Sequence, residues 1–164
     1  LVNKYKIKSV SEIGTGRTTF LFNEILKTNT SSYEQDKNWM NTMINSYSWN
    51  PNIKLFSAEK YKNGGRLKNI NNITTDLLYI DGPYIDYENK LSFKGKPAYY
   101  DFEKINFDKP PKIILIDVRT DTVDEMLKSG LFKDYDFIGG YRFSWERLKL
   151  DVIKLKYHSI FIRK

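Results

Sequence analysis

Three acidic positions, each set against small or turn-forming residues, carry most of the chemistry legible in this sequence. The first is the run Glu12-Ile13-Gly14-Thr15-Gly16. Glycines at 14 and 16 let a chain turn tightly and approach a ligand with no Cβ in the way. A dinucleotide fingerprint would want a third glycine where Thr19 stands, and a pyrophosphate at the following helix N-terminus. Two glycines behind an acid suit a ligand that carries an ammonium and no phosphate. The second position is Glu34, in Tyr33-Glu34-Gln35-Asp36, at a distance from Gly16 where a carboxylate can accept both hydroxyls of a ribose.

The third is Asp81-Gly82-Pro83-Tyr84, directly after the apolar run Leu77-Leu78-Tyr79-Ile80. A Gly-Pro turn leaves the Asp81 carboxylate at a strand mouth instead of in the core. There it can take a proton from an acceptor hydroxyl. It can also pair with Asp117 to offer hard oxygen ligands to Mg2+, which would orient that hydroxyl. A turn cap with no chemical role is the plain reading of the same residue. Among the rest, Arg119 and Thr120 can meet an anionic group. His158 falls in an expected final strand, where a structural role outweighs that of a base. The tyrosines at 84, 87, 99 and 100 suit either a sugar pocket or simple loop packing.

The elements that position these residues alternate along the chain. Strands are expected over Lys6–Ile13, Thr30–Glu34, Asn52–Ser57, Asp76–Asp81 and Lys112–Asp117, with late strands at Tyr135–Phe143 and Tyr157–Arg163. Helices are expected over Thr18–Lys27, after an Asp36 cap with Trp39, Met40, Met43 and Ile44 inward, and over Thr122–Leu131 with Gly130 as its stop. Residues Asn63–Asn72 read as loop with one helical turn, and Gly82–Asp108 shows no clear pattern. Alternation of this kind implies one mostly parallel sheet covered on both faces, with ligands beyond the carboxyl ends of its strands.

Composition narrows the classes further. The chain has 164 residues, 40% of them hydrophobic, which suits one domain, 1–164, with a real core. The first strand begins almost at Leu1, which leaves room for a missing N-terminal portion. With no cysteine, disulfides, Cys-bound zinc and thiol nucleophiles are excluded; with one histidine, so are multi-His metal sites. No apolar run is long enough to span a bilayer, so a soluble, cytoplasmic protein is expected. The net charge of +7 is spread without a Lys/Arg block and fits a coding bias toward Lys, Asn, Ile and Tyr. Nucleic acid is therefore not the expected partner.

Taken together, Glu12-Ile13-Gly14-Thr15-Gly16, Tyr33-Glu34, Leu78-Tyr79-Ile80-Asp81-Gly82-Pro83 and Ile114-Leu115-Ile116-Asp117 resemble the class I S-adenosylmethionine-dependent methyltransferases. The likeness is to the small O-methyltransferase-like branch and covers nearly the whole chain. It implies a Rossmann-like seven-stranded sheet of order 3-2-1-4-5-7-6, the last strand antiparallel, with helices on both faces. It also implies a cofactor site of Glu12, Gly14, Thr15, Gly16, Glu34, Gln35, Ala58 and Asp81. In that site Glu12 and the glycine loop serve the methionine end, Glu34 the ribose, and the segment around Ala58 the adenine. Asp81 is the expected catalytic residue, and Asp81 with Asp117 the expected Mg2+ ligands. The metal-dependent relatives carry a second polar residue beside the fifth-strand acid, where this chain has Val118. The implied reaction is methyl transfer from S-adenosyl-L-methionine to a hydroxyl of a sugar, glycan or other small polar acceptor. Two alternatives stand beside it: a nucleic-acid amino-methyltransferase using Asp81-Gly82-Pro83-Tyr84, and a catalytically silent cofactor-binding or interaction module.

Overall fold

The computed structural model describes residues 3–47, 51–82, 98–117, 119–138 and 158–164. Among these residues ten strands run β1 (Ser9–Ile13), β2 (Asn29–Glu34), β3 (Ile53–Leu55), β4 (Ala58–Tyr61), β5 (Gly64–Leu67), β6 (Leu77–Ile80), β7 (Ala98–Tyr99), β8 (Ile113–Asp117), β9 (Tyr135–Ile138) and β10 (His158–Arg163). Three α-helices accompany them: α1 (Arg17–Phe20), α2 (Lys37–Tyr47) and α3 (Thr120–Ser129). Seven strands form one sheet in the order β3-β2-β1-β6-β8-β10-β9, and β4, β5 and β7 form a second, small sheet. Counted among themselves, the seven lie 3-2-1-4-5-7-6. Neighbours from β3 to β8 pair in parallel, whereas β10 is antiparallel to both β8 and β9.

Side chains alternate across a strand with a period of two, and the large sheet uses both sets. Ile13, Leu78, Ile80, Ile114, Ile116 and Phe161 enter one core cluster, together with Val123 and Met126 of α3. Val10, Leu77, Tyr79, Ile113 and Ile160 enter the other, against Ile7 and Phe22. That double burial explains the unbroken apolar runs of β6 and β8. It also has a functional result. Two residues past Val10, Tyr79 and Leu115 on the same face come Glu12, Asp81 and Asp117, and β10, running the other way, brings His158 opposite Asp117. One alternation thus turns an apolar core into a row of ionisable groups at the carboxyl edge.

Several elements differ from the sequence expectation for physical reasons. Lys6 takes a positive φ of 50°, so the first strand starts only at Ser9. The helix expected over Thr18–Lys27 is four α-helical residues followed by a π-helical turn, Leu21–Ile25. Thr28 ends it by donating both its N–H and its hydroxyl to the Phe22 carbonyl, at 3.0 and 2.8 Å. Of its apolar stripe only Phe22 is buried. Residues 63–72 are not all loop, because Gly64 and Gly65 open β5. A Cβ on Gly64 would lie 1.7 Å from the Ala98 carbonyl oxygen, so glycine here permits strand contact and does not mark a break. The small sheet and the 3-10 turn Asp101–Lys104, with Tyr100 between them, contribute Leu67, Ala98, Tyr100 and Phe102 to the first core.

Other expectations hold. Asp36 caps α2, its Oδ1 accepting the Asn38 and Trp39 N–H groups at 2.8 and 3.0 Å. Gly130, at φ 71°, ends α3. The expected strand residues 139–143 and 157 lie outside the described residues. Among the described residues no helix is long and apolar enough to cross a membrane.

Two glycines hold the sheet's centre together. Gly14 (φ 87°) follows β1, Gly82 follows β6, and their backbones touch: a Cβ on Gly82 would stand 2.9 Å from the Gly14 Cα. Gly16, by contrast, has extended backbone, and a Cβ there would meet the Thr18 hydroxyl at an ordinary 3.9 Å. Gly82→Ala should therefore lower unfolding free energy by about 1–3 kcal/mol through overpacking. Gly16→Ala should cost less than about 1 kcal/mol. Denaturant titration of the two variants checks the contrast, and equal losses would contradict it.

Candidate functional site

A cleft of about 280 Å³ opens where β1 and β6 separate toward β2 and β8 respectively. Gly14, Thr15, Glu34, Gln35 and Asp81, all expected site residues, line it. Asp36, Trp39 and Gly82 complete the wall. Its volume falls just short of the usual range of small-molecule sites, roughly 300–1,000 Å³.

Glu34 closes one end. It is 2% exposed, and its Oε2 accepts the Thr15 N–H at 2.9 Å and the Thr15 hydroxyl at 2.7 Å. Oε1 accepts the Gln35 and Asp36 N–H groups at 2.7 and 2.9 Å. Three of these partners are fixed backbone donors. The fourth, the Thr15 hydroxyl, rotates about its Cα–Cβ bond and can give up its place to a ligand hydroxyl. Trp39 was expected on the buried face of α2, where only Met43 is fully buried. Instead the indole is 46% exposed beside the cleft, its Nε1–H donating to the Thr15 carbonyl at 2.7 Å.

Glu12 does not line the cleft. It is fully buried, accepting hydroxyls from Thr18, Thr19 (2.6 Å) and Ser32 (2.8 Å), and so ties the loop after β1 to α1 and β2. Burial pushes its carboxyl up to about 7, against the pull of those three hydroxyls. Gly16 and Ala58 also stay out of the cleft lining. Ala58 pairs with Leu67 across the small sheet and packs on the core, because the chain after β3 enters β4 and not a ligand loop.

Asp81 forms the opposite end. Arg119 donates through Nη2 to its backbone carbonyl and, at 3.3 Å, to Oδ1. The Arg119 guanidinium in turn lies 4.4 Å from the Tyr99 ring centroid. Asp117, at the end of the neighbouring strand β8, places a second carboxyl beside that of Asp81. Burial first, then the Asp117 charge, raise Asp81 to about 7, with Arg119 pulling the other way. Beyond Asp117 stands His158, its Nε2 3.6 Å from Asp117 Oδ1 and 3.4 Å from the Tyr79 hydroxyl. Burial lowers the imidazole below its ordinary range despite Asp117.

This donor set does not fit Mg2+. It offers two carboxylates, one of which already carries the Arg119 guanidinium at 3.3 Å. Among the described residues no group of three or more His, Asp or Glu side chains is arranged around a metal position. Pro83, Tyr84 and Tyr87 lie outside the described residues, and with them the stacking aromatic of the amino-methylation reading. No protein-family model and no curated protein matches the chain.

Spacing alone signalled Glu34 and Asp81, each at a strand end before turn residues. Trp39 gave no such signal, since a tryptophan in the first turn of an amphipathic helix reads as core. Arg119 was noted as a possible anion site, but its carboxylate partner depends on β6 and β8 being neighbours.

The raised carboxyls link stability to pH. Glu12 keeps its proton in the folded state after the unfolded chain has lost it. Its contribution is therefore fully present below pH 4.5 and is lost as pH rises to about 7. Asp81 and Asp101, both raised to about 7 by burial, act in the same direction from pH 3.8. Between pH 5 and 7 each group removes at most about 1.4 kcal/mol of stability per pH unit. Glu12→Gln should make the decline shallower by about one group's share. Urea midpoints at pH 5, 6 and 7 read this, and an unchanged slope would show that Glu12 titrates alike in both states.

Proposed function

We propose that the cleft binds S-adenosyl-L-methionine and that the protein transfers its methyl group to a hydroxyl of a sugar or other small polar acceptor. The observation that carries this reading is the cleft's position. It lies at the carboxyl ends of β1 and β6, where strand order reverses, with one carboxylate at each end. Open parallel sheets hold their ligands at such a point. On this reading the large sheet is a Rossmann-like methyltransferase core.

The residues present suit that ligand. The Gly14–Gly82 contact keeps the cleft floor free of side chains. Glu34 accepts a ribose hydroxyl in the place that the Thr15 hydroxyl vacates when it rotates away. The carboxyls of Asp81 and Asp117, balanced locally by Arg119, favour a ligand with positive charge and disfavour a pyrophosphate. When bound, the cofactor supplies an electrophilic methyl group on a sulfonium. Asp81, poised near neutrality, takes the acceptor's proton as its oxygen attacks, and Arg119 fixes the direction of that carboxylate. Positioning of acceptor oxygen and methyl group in line accounts for the rest of the rate. No step runs through a metal.

Calorimetry with S-adenosylhomocysteine, with and without Mg2+, tests the reading. One molecule should bind per chain, indifferent to Mg2+. Glu34→Gln should weaken it at least about tenfold, as loss of charged hydrogen bonds predicts. Asp81→Asn should keep affinity within about threefold while abolishing methyl transfer to hydroxyl acceptors. Absence of binding, or tighter binding of NAD, would overturn the assignment.

A further inference from the structure

We propose that the exposed face of Trp39 is the wall on which the ligand's flat heteroaromatic ring, a purine, stacks. The inference rests on the reading of Glu34 as the ribose carboxylate, and it supplies the ring-binding element that Ala58 does not.

Three observations carry it. First, the indole has no polar need left to satisfy: its single donor is spent on the Thr15 carbonyl at 2.7 Å. What remains in the cleft is π-face. Second, that hydrogen bond holds the ring against rotation. It ties the first turn of α2 to the loop after β1, so the surface is ordered before a ligand arrives, which lowers the entropic cost of binding. Third, the cap sets the spacing. Glu34 ends β2, Asp36 caps α2, and Trp39 stands in the first turn, so that three residues within six positions of chain all line the cleft. A nucleoside whose sugar hydroxyls meet Glu34 presents its base toward Trp39. The Thr15 residue, held by Glu34 through its N–H and by Trp39 through its carbonyl, lies between the two.

The test uses the full chain, with S-adenosylhomocysteine and adenosine as separate probes in calorimetry against wild type, Trp39→Ala and Trp39→Phe. Stacking on an aromatic side chain predicts a loss of about five- to 150-fold for both probes in Trp39→Ala. Trp39→Phe, which keeps a ring and drops the N–H, should stay within about threefold. A variant with Trp49 and Trp145 changed to Phe leaves Trp39 as the sole tryptophan, and its fluorescence should be quenched by either probe. Affinity unchanged in Trp39→Ala overturns the proposal. Equal loss in Trp39→Ala and Trp39→Phe also overturns it, assigning the residue to the clamp on Thr15. Trp39-dependent binding of adenosine without binding of S-adenosylhomocysteine would keep the ring wall and remove the methyl-donor reading. Failure of both probes to bind removes both.

Discussion

The contact between Gly14 and Gly82 is the constraint on which the cleft depends. Two parallel strands that end side by side normally diverge into turns whose side chains fill the space between them. Here the two residues that touch, Gly14 and Gly82, carry no Cβ, and the backbones meet at a separation that any side chain would widen. The Asp81 N–H donates to the Ile13 carbonyl at 2.8 Å, and the Gly14 N–H donates to the Tyr33 carbonyl at the same distance. The ends of β2, β1 and β6 are therefore stitched together one residue beyond their ladders. Glu34 and Asp81 face each other across a floor made of main chain.

The charges above that floor are arranged by the same regularity that builds the core. An alternation fixed by Val10, Tyr79 and Leu115 cannot stop at the strand ends, so the next residues of the series emerge on one face. Their mutual repulsion, together with burial, is what raises Asp81. Arg119, arriving from the turn into α3, limits that rise. Glu12 is the exception within the row. It faces three hydroxyls from two elements, α1 and β2, and is sealed in, serving as a hub for the glycine loop instead of as a ligand contact.

Much of this was legible in the chain itself. The apolar runs of β6 and β8, the Asp36 cap and the Gly130 stop are local signals, and each has the expected structural result. The roles that failed to transfer depend on neighbours distant in sequence. Whether Glu12 is a wall or a hub is decided by Ser32, twenty residues on. Glycines at 64 and 65 look like a loop unless Ala98 is known to lie against them. Trp39 reads as core by its helical phase, and only the path of the Thr15 carbonyl draws it to the surface. Patterns of burial are written in sequence at a period of two or four residues; partnerships across strands are not.

The placement of β10 bears on how the chain is assembled. β10 lies between β8 and β9 and pairs with both, yet it follows both in sequence. During synthesis from the N-terminus, β8 and β9 emerge before the strand that joins them. Until residues 158–163 leave the ribosome, the free edge of β8 is an open, strongly apolar template, and β9 has no place in the sheet. Pairings so distant along a chain form late and leave intermediates exposed to association. The nascent chain is thus most vulnerable between translation of Asp117 and translation of Arg163, an interval in which a chaperone covering the β8 edge would have its largest effect on yield.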